Sequence, residues 1–103
     1  MIKVLAYFKN TKGKKFDIDY YVNHHLPLIK KICGENLKNL SVDRGLFGHE
    51  PNSEPVYIIV THFYFENLEA FQNSIVNNLN TILADSPNFT DIEPVFQISE
   101  VIL

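Results

Sequence analysis

The chain predicts an α+β domain of the ferredoxin-like kind, a four-stranded antiparallel sheet with two helices on one face. Three observations carry that prediction. Four short runs are rich in β-branched and aromatic residues, and two longer segments carry apolar residues at helical spacing. The order of these six segments is β-α-β-β-α-β, the split arrangement that closes two β-α-β units into one sheet. At 103 residues the chain is long enough for one core and one domain, spanning 1–103.

The first strand is Ile2–Lys9 (IKVLAYFK), followed by a turn at Gly13. The first helix runs over residues 18–33. Asp17 stands at its N-cap, Phe16 and Tyr21 form a hydrophobic staple, and Asp19 lies at the positive end of the helix dipole. Gly34 supplies the C-terminal stop. Pro27 cannot donate to the carbonyl of Asn23, so a kink or a tightened turn is expected there. Residues 40–47 (LSVDRGLF) read as the second strand, bulged at Gly45, and 48–55 (GHEPNSEP) is turn chemistry throughout. Residues 56–65 (VYIIVTHFYF) form the strongest strand. Asn67 caps the second helix, whose buried stripe is Leu68, Phe71, Ile75, Leu79 and Ile82. Residues 85–90 (DSPNFT) make a structured loop, and 94–103 is the last strand.

A sheet with helices on one side and water on the other should alternate apolar and polar residues. The third strand does not: Tyr57, Ile59, Phe63 and Phe65 alternate with Ile58, Val60, His62 and Tyr64. One domain of this size has nothing left to cover the second face. A second copy packed sheet against sheet, a homodimer, is the expected cover.

The net charge of −3 argues against nucleic acid, and Lys12–Gly13–Lys14–Lys15 is the only basic cluster. The single Cys33 permits no intrachain disulfide and fits a reducing, cytoplasmic setting. Residues 1–8 read as a strand rather than a secretory leader, and no apolar run is long enough to span a bilayer. The four histidines have no zinc-type spacing, and neither a phosphate loop nor a dinucleotide fingerprint is present. No metal and no organic cofactor is expected.

The stretch 16–28 (FDIDYYVNHHLPL) concentrates the groups capable of chemistry. At about 100° per residue, Ile18, Tyr21, Val22, His25, Ile29 and Ile32 share the inward face, with His24 on the flank and Tyr20 nearly opposite, toward Lys31. His25 has two readings: a general base or acid, or a core histidine bonded to a carbonyl. Asp85 likewise either caps its own turn or fixes the tautomer of His25. Arg44 suits a carboxylate, enolate or phenolate ligand, or pairs with Asp43 or a glutamate at the sheet edge. His62 and Tyr64, which share one face of the third strand, are further candidates to line a substrate site. Tyr21 can donate to a substrate oxygen or pack, and Phe89 is expected to seal its loop onto the core.

The segments 16–28, Arg44-Gly45, 65–71 (FENLEAF) and 84–94 (ADSPNFTDIEP) together resemble the EthD family of small dimeric α+β barrel proteins. The resemblance covers nearly the whole chain. It implies a ferredoxin-like protomer, a dimer built on sheet packing, and a small-molecule cavity between sheet and helices. The wider superfamily holds cofactor-free monooxygenases, lactone isomerases, dehydratases and haem-handling enzymes, so the resemblance does not fix a reaction. Many of its monooxygenase and haem-degrading members use a tryptophan, and this chain has none. The function expected is proton transfer by His25 on a small apolar or aromatic carbonyl or phenolic compound. The alternatives are a protein that holds such a ligand without converting it, and a purely structural domain.

Overall fold

A computed structural model describes residues 1–103. Its strands are β1 (Ile2–Lys9), β2 (Leu37–Arg44), β3 (Tyr57–Phe65) and β4 (Val95–Glu100), in the order β2-β3-β1-β4 with every neighbouring pair antiparallel. This is the predicted ferredoxin-like sheet. The two most apolar strands, β1 and β3, occupy its centre, where both faces of a strand leave water. Val4, Ala6 and Phe8 of β1 and Ile59, Phe63 and Phe65 of β3 face the helices and form the core. Leu5, paired with His62 in the register, points to the other face.

β2 departs from its expected position. It starts at Leu37 rather than at 40 and stops at Arg44, and its irregularity lies between Leu37 and Asn39, not at Gly45. Leu37 and Leu40 pair with Phe65 and Phe63, so the register follows the buried aromatic residues of β3. Gly45 still matters. Its N–H donates to the Ile58 carbonyl at 2.9 Å, and a Cβ there would run into the Tyr57 carbonyl oxygen and the Pro55 ring. Gly45→Ala is expected to cost about 1–3 kcal/mol in urea unfolding, the usual range for overpacking. β4 ends at Glu100, earlier than predicted, leaving Ile102 and Leu103 exposed.

The first helix starts as predicted, with the Asp17 carboxylate accepting the Tyr20 N–H at 3.0 Å and Phe16 packed 5.1 Å from Tyr21. It does not tighten before Pro27. It widens: Ile18–Tyr20 is α-helical, Tyr21–His25 is a π turn in which the Leu26 N–H reaches the Tyr21 carbonyl, and Leu26–Cys33 is α-helical again. A proline ring crowds the carbonyl four residues earlier, and a wider turn makes room for it. Val22, read as inward, is exposed as a result. Gly34 closes the helix with φ +55°, a value only glycine takes easily.

The second helix is broken into Leu68–Ser74, a 3₁₀ turn at Val76–Asn78, and Leu79–Ala84. Asn67 caps it as expected, accepting the Ala70 N–H at 2.9 Å. The break follows side chains that take backbone carbonyls: Ser74 Oγ donates to Ala70 at 2.7 Å and Asn78 Nδ2 to Ser74 at 2.7 Å. Phe71 and Ile82 are buried, but Leu68 is 51% and Leu79 38% exposed, so the predicted stripe does not hold along its length. No helix is long and apolar enough to cross a membrane.

Candidate active site

His25 is buried where the wide turn of the first helix faces the loop after the second. Its Nδ1 lies 2.9 Å from Asp85 Oδ2, across 60 residues of sequence. The other carboxylate oxygen of Asp85 accepts from Tyr20 Oη at 2.7 Å and from Asn88 Nδ2 at 2.9 Å. Tyr20 reaches this carboxylate because of the π turn. The wider turn between them changes the angle between Tyr20 and His25 from that of a regular helix, and both side chains meet the one carboxylate.

Burial holds the His25 imidazole below its ordinary pKa, against the weaker upward pull of the Asp85 hydrogen bond and charge. Burial pushes Asp85 up, but hydrogen bonds from Asn88, His25 and Tyr20 together outweigh it and hold the carboxyl below its usual value. The hydrogen bond to Asp85 raises the Tyr20 phenol, which stays protonated as a donor. An ionised carboxylate only accepts, so Nδ1 carries the proton and Nε2 carries the lone pair. Nε2 has no partner in the chain and keeps accessible surface.

Beside His25 lies a cavity of about 40 Å³, in whose wall His25 and Ser86 are the only polar side chains apart from Tyr21. It shares Ile29, Phe63, Ile82, Leu83 and Phe96 with a groove of about 210 Å³ whose walls are wholly hydrophobic. A larger hollow of about 360 Å³ at Lys30, Gly34 and Leu37 shares no wall with either.

The sequence profile described as "EthD domain" matches residues 11–93. The chain belongs to the EthD family. Among curated proteins, none matches it. Among solved structures, an EthD-like protein from Ralstonia eutropha JMP134 is 34% identical with a TM-score of 0.94, over 99% of this chain and 92% of that one. An ethyl tert-butyl ether D (EthD) family protein from Bacillus halodurans C-125 is 20% identical with a TM-score of 0.68, over 99% of both chains. HapK from Hahella chejuensis, at 11% identity and a TM-score of 0.56, covers 100% of this chain and 95% of its own. These last two share the fold.

In this EthD domain four of the seven candidate residues come together: His25, Asp85, Tyr21 and Phe89. The Tyr21 ring stacks on His25 at 5.5 Å, but its hydroxyl is taken by Thr61 Oγ1 at 2.6 Å in a fully buried pair. Burial also raises the Tyr21 pKa. Tyr21 therefore offers the site a ring wall rather than a free hydroxyl. Phe89 is 1% exposed with its ring 4.5 Å from His25, and seals the loop as expected.

Arg44, His62 and Tyr64 lie elsewhere. Arg44 is exposed at the end of β2 and forms no ion pair, while Asp43 bonds His62 Nε2 at 3.0 Å. His62 and Tyr64 are on the sheet face opposite the helices, with Lys3 over the Tyr64 ring at 5.3 Å. His24 is exposed and packs on Tyr20 at 4.9 Å. Tyr20, Asn88 and Ser86 join the site beyond the residues expected from the sequence. Asn88 carried a signal, three residues after an aspartate in a turn; Tyr20 carried none, because helical spacing turned it outward. No three His, Cys, Asp or Glu side chains are placed to ligate a metal ion.

Proposed function

We propose that this protein catalyses proton transfer on a small apolar or aromatic carbonyl or phenolic compound, with His25 as the base. The single observation that supports this is the divided imidazole: Nδ1 is held by an ionised Asp85, and Nε2 is left unpartnered on a ring that stands in the wall of a mostly apolar cavity. Nε2 takes a proton from the substrate, and the Asp85 charge stabilises the imidazolium that forms. Returning that proton to another atom gives isomerisation, and losing hydroxide from the carbanion gives dehydration. Reaction of the carbanion with dioxygen is the cofactor-free oxygenase variant.

Two copies pack through the open sheet faces, whose centre carries Leu5, Ile58 and Val60. Light scattering at micromolar concentration should give twice the chain mass. The free Cys33 fits a cytoplasmic, reducing setting.

The test uses 5-nitrobenzisoxazole, a neutral aromatic probe. Nε2 takes its ring C–H proton, the N–O bond breaks, and the cyanonitrophenolate released is read by absorbance. The rate should rise with pH as the imidazolium loses its proton, with a midpoint below the reference of about 6.5. A rate no faster than buffer, or one with no acid limb, counts against His25 as the base. Probe-dependent thermal stabilisation without product would favour the non-catalytic binder.

A further inference from the structure

We propose that the ligand of this site is an uncharged, hydrocarbon-rich molecule with one carbonyl or hydroxyl oxygen, received between His25 Nε2 and the Ser86 hydroxyl while its apolar body lies in the groove between the second helix and β4. This rests on the reading that His25 faces the substrate, and it adds the charge class of the ligand and a second polar partner.

The groove sets the body. Ile75, Val76 and Leu79 on one side and Phe96 and Ile98 on the other present no polar side chain. Phe96 is 52% and Ile98 49% exposed, because the broken second helix does not cover β4. A pocket of about 210 Å³ is smaller than those that take drug-sized ligands. The charges set the class. Neither cavity has a lysine or arginine in its wall, and the one charge beside His25 is the Asp85 carboxylate. Lys15, in the adjoining hollow, stands with Asp91 and Glu93 and adds no net positive charge. An anion would lose its water in the groove, gain no cation and meet a carboxylate. The ends of the walls set the single polar group. Ser86 accepts the Phe89 and Thr90 N–H groups through its carbonyl, so its backbone makes the turn. Its hydroxyl has no partner in the chain, is not sealed off, and belongs to a residue in the same wall as His25. One donor and one base serve one oxygen and the proton next to it.

The test is calorimetric titration at pH 8 with 2-nonanone and with nonanoate, which match in length and differ in charge. The ketone should bind at least about ten-fold more tightly. Ser86→Ala should weaken the ketone about three- to ten-fold, one hydrogen bond's worth. Phe96→Lys, at a half-exposed position, should reverse the preference toward nonanoate. Equal or tighter binding of nonanoate by the wild type overturns the proposal, as does a ketone affinity unmoved by Phe96→Lys. Failure of the ketone to bind also overturns it; if Phe96→Lys then halves the mass in light scattering, a second copy fills the groove instead. Nitrobenzisoxazole turnover that survives these failures leaves the base reading standing. Ketone binding with the expected pattern but no turnover supports the ligand class and removes the base.

Discussion

His25→Ala is expected to slow the abstraction of a proton from 5-nitrobenzisoxazole by about 100- to 10,000-fold, the usual contribution of a positioned general base. No other base opens on the cavity: the Tyr21 hydroxyl is held by Thr61, and Asp85 points its oxygens at His25, Tyr20 and Asn88. Because His25 is buried, His25→Gln, which keeps more of the volume, should show the same loss with an unchanged far-ultraviolet circular dichroism spectrum. Asp85→Asn separates position from charge. An amide facing Nδ1 can donate, which would move the imidazole proton to Nε2 and remove the lone pair, so the loss should approach that of His25→Ala. Turnover in His25→Gln equal to wild type would leave the histidine a purely structural group.

The same pair gives stability a sign with pH. Both folded pKa values lie below their unfolded ones, so the unfolded chain binds more protons in acid. The contribution of His25 is complete above its unfolded value of about 6.5 and is lost as pH falls through its lowered folded value. That of Asp85 follows the same direction below about pH 4.

Phe89→Ala is expected to cost about 3–5 kcal/mol in urea unfolding, with a fall in Tm of roughly 10 °C or more. Phe89 is the ring on which the others converge, with Phe16, Tyr21 and His25 at 5.4, 4.9 and 4.5 Å. Its carbonyl also takes the Asp17 N–H at 2.7 Å, tying the loop to the start of the first helix. Removing the ring opens space directly against His25, so the variant should also lose turnover beyond what its folded fraction explains. Leu68→Ala is the contrast. A stripe drawn at helical spacing makes Leu68 a core residue, whereas its half-exposed side chain predicts a change within about 0.5 kcal/mol. A large loss there and a small one at Phe89 would contradict this packing.

That contrast shows where the sequence was readable. Local chemistry announced itself: Asp17 and Asn67 as caps, Gly34 as a stop, and the unbroken apolar run of β3. The inward orientation of His25 also followed from spacing. Features decided by distant partners did not announce themselves. β2 slid three residues to match Phe63 and Phe65, and the half-buried Tyr20, set by the π turn, finds the acceptor for its hydroxyl in Asp85, 65 residues away. Arg44, His62 and Tyr64 were chemically plausible, but β2 and β3 set them at a strand end and on the far side of the sheet.

The π turn at Tyr21–His25 means that the first helix carries a surplus residue, as an insertion into a regular helix would leave it. Excising Asn23 would restore ordinary winding, yet swing everything upstream by about 100° relative to His25. The phenol of Tyr20 would leave its carboxylate and Phe16 its aromatic neighbours. A shortened chain with a better-formed helix and Tyr20 parted from Asp85 would mark this site as one that counts residues, so that deletions here do more harm than substitutions.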